Sequence, residues 1–375
     1  MASEQNIGVI AGLDPAIHPF AKKMDPRVKP AADAVAFWVG ALLLLALFVA
    51  FLSPANADPV ADFYKGKTVA LVVGSPAGGG YDAMARAISR FIGRHLPGNP
   101  TVVVRNMPGA GGMLAMNYIF NAAERDGTVL LACQNNTPLE PLFGTKQARY
   151  DATKLNWLGT PSFEVAMVLL WHTVPVNSVA DLKAKETQVG ASGSNSTPAF
   201  YARLLNATLG TRMKLIGGYP GQNDALLAME RGELDGYPSV FESALTSTRP
   251  TWIAEKLAKP IVQYGPERLR TLPDVPFAPD LVTNEDDKLL MQAAFAPLAL
   301  GRPLVAPPDV PADRVTAIRK ALADTFADPE FLAEGQRMGI AVNDPRTGEQ
   351  LRDVIARAYQ SPPQVVARLQ KLNNP

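Results

Sequence analysis

The 375 residues are enough for two ordinary domains, each with its own core. The 36 Lys and Arg are balanced by 35 Asp and Glu, which excludes the charge excess that draws a protein to nucleic acid or an anionic membrane surface. A single Cys133 excludes an intramolecular disulfide, and three histidines are too few for a His-rich metal site or a His-centred triad.

The first element is Ala34–Leu52, an unbroken apolar stretch. It is preceded by Lys22, Lys23, Arg27 and Lys29 and followed by Ala55-Asn56-Ala57, the small-x-small form that a signal peptidase reads. Residues 1–57 are therefore expected to be a secretory signal, with the mature chain starting at Asp58 and keeping a net charge of +1. Residues 1–23 are long and Pro-interrupted, unlike an n-region, so Met24 is a candidate translation start. A retained membrane anchor is the competing reading, because the stretch is just long enough to span a bilayer.

Beyond Asp58, short β-rich runs alternate with helical patterns. Thr68–Val73, Thr101–Arg105 and Thr128–Cys133 read as buried parallel strands, with Cys133 a small core residue. Between them, Tyr81, Met84, Ile88 and Phe91 share one helix face, as do Met113, Met116, Ile119 and Phe120. This is a βαβαβ unit and predicts a doubly wound, mainly parallel sheet. A second block has the same grammar. Strand Gln188–Ala191 enters the loop Ser192–Pro198 and a helix Ala199–Leu209; strand Met213–Ile216 enters Gly217–Gly221 and a helix near Asp224–Arg231. Strand Ile261–Tyr264 comes later. The apolar segments Val165–Trp171 and Phe295–Val305 are candidates for strands that cross between the blocks. The expected organisation is an α/β chain of two lobes, 58–164 and 165–294, each a mainly parallel sheet. Residues 295–375 would supply a crossing strand and helices that return to the first lobe.

Two loops concentrate the chemistry. Gly74-Ser75-Pro76-Ala77-Gly78-Gly79-Gly80-Tyr81-Asp82 lies between a strand's carboxyl end and a helix's amino end. Its glycines let the backbone approach a ligand, and the unpaired first-turn N–H groups and helix dipole favour an anion. Asp82 is placed either to cap that helix or to accept from a ligand. The stretch also satisfies a dinucleotide fingerprint, Gly78-x-Gly80-x-x-Ala83, with Arg105 ending the next strand as a partner for an NADP phosphate. Gly74–Ala77 is longer than the tight turn this fingerprint needs. In the second loop, Gly193-Ser194-Asn195-Ser196-Thr197-Pro198, a hydroxyl residue followed by proline reads as a helix start. Facing across a cleft, the two loops would hold opposite ends of one small anion. Neither contains Lys or Arg, so recognition within them rests on amides, hydroxyls and helix ends. Gln134, Asn135, Asn136 and Thr137 follow the third strand and would line the same cleft. Ser239, Phe241 and Glu242 are weaker candidates, and His95 and His172 read as structural or solvent-facing. Neither a Gly-x-Ser-x-Gly elbow nor a Gly-x4-Gly-Lys loop is present.

The series Ser75-Pro-Ala-Gly-Gly-Gly-Tyr-Asp82 with Ala85-Arg86, then Val102-Val-Val-Arg-Asn-Met-Pro-Gly-Ala-Gly-Gly112, resembles the Bug family, the receptors of tripartite tricarboxylate transporters. Asp126-Gly127, Ala191–Pro198, Tyr219-Pro-Gly221 and Leu272-Pro-Asp-Val-Pro276 match in order, so the resemblance runs from about Tyr64 to Arg357. It implies a periplasmic-binding-protein architecture whose lobes close on a small carboxylate and deliver it to a membrane permease. No catalysis, cofactor, metal or nucleic acid is implied, and the expected state is a monomer. Taking the loops, the strand order and the resemblance together, the expected binding residues are Ser75, Pro76, Ala77, Gly78, Gly79, Gly80, Tyr81, Asp82, Asn135, Thr137, Ser192, Gly193, Ser194, Asn195, Ser196, Thr197, Tyr219 and Gly221. Alternative roles are a module feeding a sensor, or an NADP-dependent enzyme built on the glycine loop. Tyr81, Met107 and Gly217-Gly218 depart from the family pattern, and Tyr81 suggests a narrowed pocket or stacking on an aromatic ligand.

Overall fold

A computed structural model describes residues 38–40, 58–194, 196–340 and 342–374. The chain divides into two units, Met1–Ala57 and Asp58–Pro375. The signal-peptide reading therefore falls outside the described residues, apart from 38–40. Among the described residues no helix is long and apolar enough to cross a membrane.

The second unit holds two sheets. The first orders its strands β11-β4-β10-β3-β1-β2 and the second β7-β6-β8-β5-β9. The first sheet comprises β1 (Thr68–Val73), β2 (Thr101–Asn106), β3 (Val129–Ala132), β4 (Asn156–Thr160), β10 (Leu304–Ala306) and β11 (Arg346–Thr347). The second comprises β5 (Ala166–Trp171), β6 (Thr187–Gly190), β7 (Met213–Ile216), β8 (Gly236–Phe241) and β9 (Ala258–Tyr264). In chain order the helices used below are α1 (Pro59–Tyr64), α2 (Gly80–His95), α3 (Met113–Asn121), α4 (Val179–Ala184), α5 (Thr197–Leu209) and α6 (Gln222–Glu230). They continue with α7 (Glu242–Thr248), α8 (Glu285–Leu300), α9 (Ala312–Ala327), α10 (Pro329–Arg337), α11 (Gly348–Tyr359) and α12 (Pro363–Asn373).

Strand β1 is buried at every position but the first because helices cover both faces of its sheet, which is why TVALVV reads as a continuous apolar run. Its Val69, Leu71 and Val73 join Met84, Ile88 and Ile318 in one cluster, while Val72 faces Met116 and Ile119 in another. Strand β2, at the sheet's edge, alternates exposed and half-buried residues. The second sheet is likewise covered on both faces. Val168 and Leu170 pack with Phe200, Tyr201 and Leu204 of α5; Met167 and Leu169 pack with Ala225, Leu226 and Met229 of α6.

Strands β1, β2 and β3 are parallel, with Thr68 opposite Thr101 and Ala70 opposite Val129. Strand β10 is antiparallel to both its neighbours, β3 and β4, so β4 runs with β3. In the second sheet β6, β7 and β8 are parallel and β5 opposes both β8 and β9. Each sheet thus encloses one reversed strand, and these are the strands the chain enters on passing from one sheet to the other. A strand that starts at the crossing must run away from it. Val165–Trp171 is accordingly a strand of the second sheet, and the crossing itself is residues 161–165.

Phe295–Val305 is not a crossing strand. Phe295–Leu300 closes α8, as its Ala- and Leu-rich composition favours, and only Leu304–Ala306 is extended. Gly301 (φ 61°) makes the turn between them, where a side chain would collide with the Ser162 carbonyl. The two crossings run together, with the Glu164 N–H donating to the Leu298 carbonyl (2.9 Å). Helix α9 packs on α2 and β4, and α11 on β4 and α8. The last helix, α12, lies against α8 and α5, where Arg203 Nε donates to the Leu372 carbonyl (2.7 Å), and it also reaches the first lobe, with Gln370 Nε2 donating to the Leu142 carbonyl (3.1 Å).

Candidate ligand-binding site

Topology decides where the loops lie. Strand β4 runs with β1–β3 and ends at Thr160, where the crossing begins. Strand β5 starts at the other end of that crossing, with Ala166 opposite Phe241, the last residue of β8. The carboxyl ends of the parallel strands in both sheets therefore meet the same crossing, and every loop that leaves them opens on that side.

In the first lobe, Pro76–Gly80 form an exposed crest on a buried base. Gly78 adopts φ +84°, which glycine takes freely, and its N–H donates to Asp82 Oδ2 (2.9 Å). Asp82 Oδ2 also accepts from Arg86 Nε (2.9 Å), and Oδ1 accepts from Asn106 Nδ2 (2.8 Å). Asn106 Nδ2 reaches the Ser75 carbonyl as well (3.0 Å). The Arg86 hydrogen bond, with help from Gly78 and Asn106, holds the Asp82 carboxyl down at about 2. Asp82 is thus neither a helix cap nor a free acceptor for ligand: it is buried and braces the loop from behind. The residue before α2 is Gly79, which has no capping side chain, so the first-turn amides of Gly80, Tyr81 and Asp82 lack intrahelical and side-chain partners.

Tyr81 ties this loop to the one after β3. Its Oη accepts from the Asn135 N–H (3.1 Å), and burial pushes its hydroxyl up to about 12. Of the four residues expected to line the cleft there, only Asn135 has a side chain without a hydrogen-bond partner among the described residues. Gln134 donates to the Gly74 carbonyl (3.3 Å), Asn136 to Glu140 (3.0 Å), and Thr137 is fully buried with its Oγ1 on the Gly111 carbonyl (3.2 Å). Thr137 is a packing residue.

In the second lobe, β6 delivers Ser192–Ser196 to α5; Asn195 lies outside the described residues. Ser192, Ser194 and Thr197 are exposed. The Ser196 hydroxyl turns back to donate to the Gly193 carbonyl (2.6 Å) and leaves the helix end open. Arg203 Nη1 supports the loop by donating to the Ser194 carbonyl (2.7 Å). Strand β7 delivers Gly217–Gly221 to α6, whose preceding Gly221 again offers no cap, and the Tyr219 N–H reaches back to the Ala191 carbonyl (3.4 Å). Side chains added at Gly193, Gly217 or Gly218 would meet only open space.

The loops contain no cation, but the crossing supplies one. Arg302 lies between α8 and β10, and its guanidinium sits 5.5 Å from the centre of the Tyr81 ring. Its Nη1 is 2.8 Å from where a Cβ of Gly80 would be. One face of Tyr81 is therefore already covered. Nearby Glu164, its carboxyl pushed up by burial, accepts from Ser243 Oγ (2.9 Å). Sequence reasoning missed Arg302; the available signal was one charged residue within the apolar run Phe295–Val305. Arg105 lies exposed on the edge strand, and the Gly78 amide that a dinucleotide phosphate would need is occupied by Asp82. The nicotinamide reading gains nothing from this geometry.

The model of the tripartite tricarboxylate transporter receptor family matches residues 84–360. A UPF0065 protein of Agrobacterium vitis is 26% identical over 315 residues, covering 80% of this chain and 81% of its own. A TctC solute-binding protein from Polaromonas, solved without ligand, superposes with a TM-score of 0.65 at 19% identity over 83% of this chain and 99% of its own. MatC from Rhodopseudomonas palustris with bound malate superposes at 0.53 and 19% identity, over 82% of this chain and 99% of its own. At these identities the likeness is one of fold, the two-lobe α/β architecture of periplasmic binding proteins. The chain belongs to the tripartite tricarboxylate transporter receptor family.

Proposed function

We propose that this chain is an exported solute-binding receptor that captures a small carboxylate between its two lobes and delivers it to a membrane permease, without catalysis. The observation that carries the reading is the state of the helix ends. Helices α2, α3, α5, α6 and α7 start from strands that run toward the crossing, and none has a side-chain cap. Open N–H groups and the positive ends of helix dipoles gather on one side of the fold, and both favour an anion there. The binding residues are proposed to be the crest Pro76–Tyr81, Asn135, Ser192–Thr197 and Tyr219–Gly221.

Capture works by hinge motion at residues 161–165 and 301–303, and a ligand that binds the closed form better shifts the population toward it. The mature chain is proposed to start at Asp58, whose carboxylate accepts from the Val60 N–H (2.9 Å) and caps α1. Malate, bound by the Rhodopseudomonas relative, is the first compound to try. A carboxylate at 100 times its dissociation constant should stabilise the fold by about 2.7 kcal/mol in a melt and shrink the radius of gyration in solution scattering. NADP should do neither. A carboxylate panel that leaves the melt unmoved would overturn the proposal.

A further inference from the structure

We infer that Arg302 supplies the positive charge that meets a ligand carboxylate at the amino end of α2. This rests on the receptor reading above and adds a side chain that neither glycine loop contains. An arginine drawn partly out of water is normally paired, because desolvating its charge is costly. Arg302 is partly buried, yet its guanidinium makes no hydrogen bond or ion pair with any described residue. Its five N–H donors form a planar fork that matches a carboxylate.

The surroundings hold that fork in place. The Arg302 N–H donates to Thr160 Oγ1 (3.0 Å), which itself donates to the Ser162 carbonyl (2.9 Å), so the arginine is rooted where both crossings meet. Its guanidinium lies over Tyr81, and Tyr81 is fixed by the Asn135 N–H. It occupies the space that any side chain at residue 80 would need, which gives Gly80 a reason of its own to be glycine. Independently, Ser75 in the loop leading into α2 is 8% exposed, and its buried Oγ has no hydrogen-bond partner. An anion beside Gly80 would give the Arg302 donors a partner, since its Nη1 lies 2.8 Å from where a Cβ of Gly80 would be. Glu164 lies within electrostatic reach of both Arg302 and Tyr81 without forming an ion pair with the arginine, so the fork of donors on Arg302 stays open to a carboxylate.

The test is calorimetric titration of purified protein with malate, succinate, glutarate and benzoate. Arg302→Gln should weaken the tightest of these roughly ten- to hundredfold, the worth of a hydrogen bond to a charged group, and Arg302→Lys should recover part of the loss. Gly80→Ala keeps the charge but displaces the guanidinium, and should weaken binding similarly while leaving the unliganded melt unchanged or raised, since alanine favours a helix. It also serves if Arg302→Gln fails to fold. If both variants bind like the parent, Arg302 plays no part in recognition and the receptor reading stands. If the parent protein binds none of the four acids, the receptor reading and this inference fall together.

Discussion

The helices on the crossing side and those on the outer flanks begin in different ways. On the flanks, Asp58, Ser178, Asn284, Asp328 and Thr347 each accept a hydrogen bond from the first turn of α1, α4, α8, α10 and α11. Only α9 and α12 lack such a bond there, and each starts behind a proline. On the crossing side the preceding residues are Gly79, Gly112, Ser196, Gly221 and Phe241, and none caps. A capping side chain is worth a few tenths of a kcal/mol over glycine and about 1 kcal/mol over a residue such as Phe241, so leaving five ends open concentrates a stability cost at one place. Strand direction explains it: β1, β2, β6, β7 and β8 run toward the crossing, while β5 and β11 run away from it. Apart from α9 and α12, the uncapped ends are those gathered at the crossing.

Filling an open end should break that contrast most visibly. A Cβ at Gly79 would meet nothing nearer than the Pro76 carbonyl at 3.8 Å, and Gly79 already has the extended backbone of an N-cap. Gly79→Asp should therefore cap α2 with its own carboxylate, keep or raise the unliganded melt by a few tenths of a kcal/mol, and lower carboxylate affinity at least a hundredfold. Gly79→Val should also abolish the ligand-induced shift, by steric exclusion alone. Titration calorimetry checks both, and parent-like affinity in either would move the site away from residues 78–82.

The next contrast is between two carboxylates. Asp82 and Asp328 both titrate at about 2. Asp82 is lowered first by Arg86; Asp328 is lowered by His95 and Arg94 against the burial that opposes them. Asp328 caps α10, with the Glu330 N–H at 2.9 Å, far from the crossing in the fold's plan. A depressed folded-state value means stability that is fully present above the ordinary carboxylate range and is lost as pH falls toward 2. Asp82→Asn and Asp328→Asn should each cost about 2 kcal/mol at neutral pH and flatten the acid limb of a stability-against-pH curve. Only Asp82→Asn should also weaken ligand binding, because only Asp82 shapes a loop of the site. Equal affinities for the two variants would mean the first loop keeps its form without its brace.

Arg203 gives a smaller version of the same comparison across the lobes. The first loop is braced by its own helix and strand, the second by Arg203 together with α12. Arg203→Met should keep the packing of the stem, lose the bond to Ser194, and reduce affinity severalfold as read by titration.

Much of this was legible in the sequence because it follows from local pattern. Strands such as TVALVV and loops such as Gly78-Gly79-Gly80 announce themselves through burial and backbone freedom. Three features depend on contacts between distant residues and were not legible. Asp82 looks like a cap until Asn106 and Arg86 are seen to take its oxygens. Thr137 looks like a cleft residue until it is found buried against Gly111. Phe295–Val305 looks like one extended element, and only the Gly301 turn against Ser162 divides it and sets Arg302 beside Gly80. Arg302 itself is more than two hundred residues from Tyr81 in the chain, a separation no spacing rule reaches.

The smallest expected effect is at the far end of β5, and it tests whether capping follows strand direction. Strand β5 lies in the same sheet as β6 and β7 but runs away from the crossing, so α4 begins on the opposite side from α5 and α6. There Ser178 Oγ meets the first turn, accepting from the Asp181 N–H at 3.1 Å. Ser178→Ala should cost about 1 kcal/mol in a urea melt, because the amide loses its partner and the helix keeps only water there. Carboxylate affinity should stay within twofold of the parent, since α4 contributes nothing to the loops at the crossing. A drop in affinity comparable to that of Arg203→Met would show that the two ends of the second sheet are coupled. The capping pattern would then reflect the rigidity of the whole lobe rather than the placement of an anion.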